Sequence, residues 1–154
     1  MWTSYHAGVS GTIMVLAPQT VVGQSVALAV TFLMHFPMDY IGERDYRSLG
    51  QTALFEFGLL GIYLASAFLS NYEYPWWLVA AWIVGNLPDA IDKFIMVPLG
   101  RPQWFSCHNG PGLFKIGKFK LGYPAYFQLT YFQTVVFNVA STLIFIVLIF
   151  ALHG

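Results

Sequence analysis

After Lys120 the chain carries no further Asp, Glu, Lys or Arg, and from Pro124 to Leu152 it is built from apolar and aromatic residues with a few amides and hydroxyls. As a helix rising about 1.5 Å per residue, this stretch exceeds the roughly 30 Å hydrocarbon core of a bilayer, so it spans with tilt and projects at one end. The rest of the chain has the same character: 57% of residues are hydrophobic, 18% aromatic and 9% charged, against about a quarter charged in soluble domains. A soluble core of 154 residues cannot hide so much apolar surface, whereas lipid accepts it directly. The expectation is one all-α domain over residues 1–154, an integral membrane bundle of about five helices, with membrane lipids as its surroundings.

Turn signals divide the apolar sequence into five stretches. The first, His6 to Ala17, is about 18 Å long and reads as a partial or tilted span. "PQT" at 18–20 closes it. The second runs from Val21 to Asp39, the third from Thr52 to Asn71, and the fourth from Trp76 to Asp92, where Pro88 is expected to bend or end the helix. Between the third and fourth, "NYEYPWW" offers aromatics suited to an interfacial belt. A Gly- and Pro-rich polar segment, residues 98–123, precedes the fifth stretch. Within it "KIGKFKLGY" interleaves Lys with apolar residues, as a strand or an interfacial segment does. The pairs Gly8/Gly11 and Gly58/Gly61 suit close helix approach. Gln128, Gln133 and Asn138 are spaced to hydrogen-bond across a bundle.

If successive helices alternate in direction, all seven basic residues, Arg44, Arg47, Lys93, Arg101, Lys115, Lys118 and Lys120, fall at one face. Short loops rich in Lys and Arg resist translocation, which makes that face cytoplasmic. A wrong helix count would scatter these residues over both faces. Net charge is zero and no basic stretch alternates with stacking aromatics, so nucleic acid is not an expected partner. The single Cys107 excludes an internal disulfide. "MWTSYHAGVSG" lacks the basic n-region of a signal peptide, so Met1 is expected to remain.

The same alternation gathers His6, His35, Asp39, Glu43, Glu56, Asp89, Asp92 and His108 near the basic face. A spacing of four puts His35 and Asp39 on one side of a helix, and Glu43 joins them if the helix continues. Asp89 and Asp92, three apart, share a side in the same way. Ionisable groups at membrane depth face a bundle interior and find a partner. A divalent cation is one. Carboxylates and imidazoles from different helices suit zinc, manganese or iron better than calcium or magnesium. Taken singly, each residue also fits a solvated helix end: Asp92 can pair with Lys93, and Glu43, Arg44, Asp45 and Arg47 can form a solvated loop. Glu56 also suits the positive end of a helix dipole. It is the two pairs together that point to a metal or proton site.

These residues carry a likeness. "HFPMDYIGERDY" resembles the H-F-L-L-D-x-x-P-H-x-D-Y helix end of small bacterial membrane proteins described as predicted membrane-bound metal-dependent hydrolases. "GNLPDAID" is similar to their Leu-Pro-Asp-x-x-Asp motif and "HAGVSG" to their opening His-x-x-x-Gly helix, so the resemblance covers roughly residues 5–95. It implies a zinc-type site distantly akin to zinc-dependent phospholipase C and P1 nuclease, with His6, His35, Asp39, Asp89 and Asp92 as metal ligands, in a bacterial inner membrane. The sequence departs from the pattern at Glu43, where the family often has His, and at Lys93, where many relatives have another His.

Together these readings predict a membrane-embedded metal-dependent hydrolase that acts on a lipid-associated phosphoester at the cytoplasmic interface. His35, Asp39 and Asp89 hold the metal, Asp92 or Glu43 completes the shell or serves as general base, and Arg101, Arg44 or Lys93 orients a phosphate. The alternative is a non-catalytic accessory subunit of a larger membrane complex, packed through its aromatic surface against other subunits. A third class, a proton or ion carrier, fits less well because no internal repeat is evident.

Overall fold

Long apolar segments without β-branched alternation fold as helices, and each here stops where a turn residue or cap intervenes. The computed structural model describes residues 3–39, 41–42, 50, 53–101, 114–116, 119–121 and 127–154. Among them are α1 (Thr3–Leu16), α2 (Val21–Asp39), α3 (Gly58–Leu69), α4 (Pro75–Ile91) and α5 (Tyr131–His153). One wide π-type turn, Ala53–Phe57, leads into α3, and a second, Asp92–Met96, follows α4. The fold is helical in class, with strands of only two or three residues. Here β1 (Ile41–Gly42) pairs in parallel with β4 (Phe127–Gln128), and β2 (Phe114–Ile116) pairs antiparallel with β3 (Phe119–Leu121).

Two expected boundaries moved. Pro88 neither ends α4 nor stands at its edge: the helix continues to Ile91, and Pro88 is buried inside it. Proline removes one backbone bond, a loss that packed neighbours in an apolar bundle tolerate. The fifth helix begins at Tyr131 rather than Pro124. Thr130 is extended and closes a capping box with Gln133: the Gln133 N–H donates to Thr130 Oγ1 at 3.3 Å, and the Thr130 N–H donates to Gln133 Oε1 at 2.8 Å. Gln133 is therefore engaged locally, and Asn138 Nδ2 donates to the Thr134 carbonyl of its own helix.

The first helix sits in the centre. α1 packs against each of the other four helices, and small residues on it permit the approach. A Cβ on Gly8 would lie 2.7 Å from the Ser141 carbonyl carbon of α5, and one on Gly11 would lie 2.5 Å from Tyr63 and 2.6 Å from Phe145. A Cβ on the equally spaced Gly58 or Gly61 would meet no atom of the described residues within 4 Å. The core around α1 includes Ala7, Met14, Tyr63, Leu78, Phe145 and Ile149. Outward, Val22, Leu69, Trp76 and Phe132 are largely exposed. Two helices, Val21–Met38 and Tyr131–His153, are long and apolar enough to cross a membrane, while Leu54–Leu69 is a shorter apolar helix.

Side-chain bonds sort the helix ends. The Tyr72 hydroxyl, between α3 and α4, lies 2.7 Å from Gln24 Oε1 and 3.1 Å from the Met14 carbonyl. Gln24 Nε2 donates to Met14 and Pro18 carbonyls at 3.2 and 3.3 Å. The Asn71 N–H donates to the His153 carbonyl at 2.7 Å. The end of α1, the start of α2, the α3–α4 connection and the end of α5 thus share one end of the bundle.

Candidate metal centre

The opposite end holds His6, His35, Asp89 and Asp92. His6 lies in the first turns of α1, His35 near the end of α2, Asp89 near the end of α4, and Asp92 at the turn that follows it. His6, His35, Glu56 and Asp92 are buried, and Asp89 is 14% exposed. Alternation of helix direction brings them to the same end, and the i, i+4 rise of each helix aligns the side chains.

At the centre of this layer is His35, fully buried. Its Nδ1 lies 2.7 Å from the Gly85 carbonyl. A carbonyl only accepts, so Nδ1 carries the proton, and Nε2 is turned towards Asp89, whose Oδ1 is 3.7 Å away. A histidine that ligates a metal is oriented in this way, with its second nitrogen donating to a backbone carbonyl and the first left to bind. Two donors each about 2.0–2.1 Å from one tetrahedral zinc would stand about 3.3 Å apart, within a few tenths of an ångström of the separation found here. The donor chemistry and spacing of His35 and Asp89 fit a shared divalent cation, and they also fit a direct ion pair if the imidazole is protonated.

His6 stands differently. Its ring stacks on that of His35, with centroids 4.7 Å apart and planes 26° apart. Imidazole lone pairs lie in the ring plane, so two nearly parallel rings do not converge on one ion. His6 braces His35 by packing and is held in turn by Tyr5, edge-on at 5.7 Å. Among the described residues no three His, Cys, Asp or Glu side chains are grouped as a ligand set. The side chain of Asp39, and Glu43, Arg44, Cys107 and His108 entirely, lie outside the described residues, as does the side chain of Lys93. Arg101 is exposed, just beyond the turn that follows α4.

Beneath His35 is a polar floor that the sequence did not single out. Ser10 and Thr31 each lie one turn inward from His6 and His35, and Ser10 meets Gly85 so closely that a Cβ there would strike its hydroxyl. Asn86 Nδ2 donates to the Trp82 carbonyl at 2.7 Å. Ser10 Oγ, Thr31 Oγ1 and Asn86 Oδ1 are buried and make no hydrogen bond among the described residues. Buried polar atoms are normally satisfied. Three of them below one histidine mark a polar interior that suits an ionic or hydrated ligand. Their spacing of three or four from His6, His35 and Asp89 was the available signal, but hydroxyl and amide side chains in apolar helices read equally well as packing.

No family model, curated protein or solved structure matches the chain.

Proposed function

We propose that the chain is an integral membrane bundle, placed in a bacterial inner membrane with its basic loops cytoplasmic, which binds a divalent metal, zinc being the best match, and hydrolyses a lipid-associated phosphoester. The observation that carries this reading is the orientation of His35, with Nδ1 donating to the Gly85 carbonyl and Nε2 facing the Asp89 carboxylate 3.7 Å away. His35 and Asp89 would hold the metal, joined by Asp39, with Asp92 or Glu43 as further ligand or general base. When bound, such an ion supplies Lewis acidity towards a phosphoryl oxygen and acidifies nearby water. The protein's own part is positional. The Gly85 carbonyl fixes the His35 tautomer, the His6 ring keeps the imidazole from rotating, and burial excludes bulk water. Arg101, with Arg44 or Lys93, would orient the phosphate, since guanidinium pairs with phosphoryl oxygens in bidentate fashion.

The test is metal analysis of the purified full chain together with a phosphodiester assay. About one tightly held transition metal per chain, lost in His35→Ala and weakened roughly 10- to 100-fold in Asp89→Asn, with hydrolysis lost in parallel, supports the reading. The stacked His6 and His35 rings favour a second reading, in which the histidines pack and the His35–Asp89 contact pins two helices of a non-catalytic accessory subunit. Metal-free protein that copurifies with other membrane chains and hydrolyses nothing would establish that alternative.

A further inference from the structure

Beside the histidine layer, an apolar hollow of about 440 Å³ opens between α2 and α5 with α1 as its floor, lined by Tyr5, Val9, Met34, Phe137 and Ile144 among others. A second hollow of about 500 Å³ shares Ile13 and Val30 with the first and continues along the α1–α2 crevice to Leu16 and Pro18. The two form one trough running the length of α1. From Tyr5 to Leu16 it measures about 17 Å at 1.5 Å per residue, close to half of the roughly 30 Å hydrocarbon core, which is the depth of one leaflet. The hydroxyls in its wall are turned back on their own helices: Thr12 Oγ1 donates to the Gly8 carbonyl at 2.9 Å and Ser141 Oγ to the Asn138 carbonyl at 3.0 Å. The trough therefore presents mostly carbon.

Its position gives it a purpose. The upper end abuts the site: the Tyr5 ring lies edge-on to both His6, at 5.7 Å, and Phe137, at 6.1 Å, and Met34 immediately precedes His35. A ligand seated along the trough thus has its upper end beside the imidazoles and its lower end against Leu16 and Pro18, where α1 ends. We propose that the trough binds one acyl chain of the lipid whose phosphoester headgroup reaches the His35–Asp89 layer, which makes the substrate class a long-chain membrane phospholipid rather than a soluble phosphodiester. This rests on the reading given under Proposed function. The occupant follows from three matched features: a length of one leaflet, a mostly carbon wall, and continuity with a polar site at one end only.

The experiment places the full chain in nanodiscs of phosphatidylcholine and phosphatidylglycerol, with a trace of palmitoyl phosphatidylglycerol carrying a mid-chain diazirine. Adducts are mapped by peptide mass spectrometry. Ala140 lines the upper hollow from α5 and is remote in sequence from His35 and Asp89, so Ala140→Trp fills the trough without altering them. Adducts concentrated on α1, α2 and α5, falling about tenfold in Ala140→Trp, support the proposal. Should the variant fold poorly, the wild-type map decides by itself: labelling spread evenly over outward residues such as Leu69 and Trp76 overturns the assignment. So does a dimer that Ala140→Trp dissociates while lipid adducts are absent, because the occupant is then a second copy. A parallel assay with a short-chain, water-soluble phosphodiester separates the two readings. If it is cleaved as fast as the long-chain lipid, and Ala140→Trp changes neither rate, the trough is refuted while the hydrolase reading stands. If neither ester is cleaved but the adduct map holds, the hydrolase reading fails and the lipid site remains.

Discussion

Gly8→Ala is the substitution whose outcome the geometry fixes most tightly. A methyl group there would stand 2.7 Å from the Ser141 carbonyl carbon and 2.8 Å from both the Ser141 carbonyl oxygen and Oγ. Two of those three atoms are backbone and cannot swing aside, so relief to an ordinary contact near 3.4 Å requires α1 and α5 to separate by about 0.7 Å. A gap of that size forfeits about a quarter to a half of the dispersion well for atoms along the seam, and overpacking of this kind costs about 1–3 kcal/mol. Alanine recovers about 1 kcal/mol through helix propensity and reduced unfolded-state entropy. The net expectation is a loss of up to about 2 kcal/mol, which for a chain of this size lowers the melting temperature by up to about 8 °C. Unfolding in mixed micelles, followed by tryptophan fluorescence, measures it. Ser141→Gly in the same background should recover little, because it removes only Oγ. The displacement also carries His6, two residues away, from its stack on His35, so metal affinity should fall with stability. A Gly8→Ala protein more stable than the parent refutes the claim that close backbone approach holds α1 in the centre.

Other changes probe other parts of the same scheme. Gly85→Ala pushes a methyl into Ser10 Oγ and shifts the carbonyl that orients His35. We expect a loss of about 1 kcal/mol and weaker metal binding, and Ser10→Ala should restore both, since the Ser10 Cβ lies at an ordinary 3.5 Å. Calorimetric metal titration of the two single variants and the double variant checks this. Burial pushes the Tyr72 phenol above its ordinary value of 10, partly offset by its side-chain hydrogen bonds with Gln19 and Gln24. A raised folded value means the contribution is fully present below about pH 10 and is lost as pH rises through the folded value. Stability against pH should therefore decline on the alkaline side, and Tyr72→Phe should flatten that limb while lowering stability by about 1 kcal/mol at neutral pH. Thr130→Ala removes the capping box of α5 and should cost about 0.5–2 kcal/mol in chemical denaturation, with the first turn of α5 exchanging its amide protons fastest.

The helical frame was legible because lipid-compatible segments leave little choice: α2 begins at Val21 and ends at Asp39, as its flanking "PQT" and acidic residues suggest. The alternation of ends followed from the same segmentation, and so did the approach of His35 to Asp89, from helices fifty residues apart in sequence. What escaped was whatever depends on a partner rather than on the residue itself. The onset of α5 turned on a reciprocal bond between Thr130 and Gln133, which competes with an uninterrupted apolar pattern starting earlier. Gly8/Gly11 and Gly58/Gly61 have identical spacing, yet among the described residues only the first pair meets another helix. The Gly85 carbonyl, which decides the tautomer of His35, is a backbone atom and has no signature in composition. The hydroxyls of Ser10 and Thr31 were visible but ambiguous, since the same residues serve helix packing in apolar surroundings.

The grouping of unsatisfied polar atoms around His35 is the strongest physical reason to place chemistry at that end of the bundle. At the α3–α4 end Tyr72 serves Gln24 and Met14, and Gln24 serves Met14 and Pro18, while Gln19 Oε1 and His153 Nε2 make no hydrogen bond among the described residues. Those bonds close the end as a structural latch. At the other end, Ser10, Thr31 and Asn86 keep buried polar atoms that no described residue satisfies, directly beneath a histidine whose orientation is fixed by a backbone carbonyl. Each such atom costs about 1–3 kcal/mol against an apolar replacement of similar shape. Alanine at position 10 or valine at position 31 would remove that cost with little change in volume. A bundle selected for stability alone would favour those residues at both ends. Unsatisfied polar side chains on three helices, gathered next to His35 and Asp89, are what a site for a charged ligand requires.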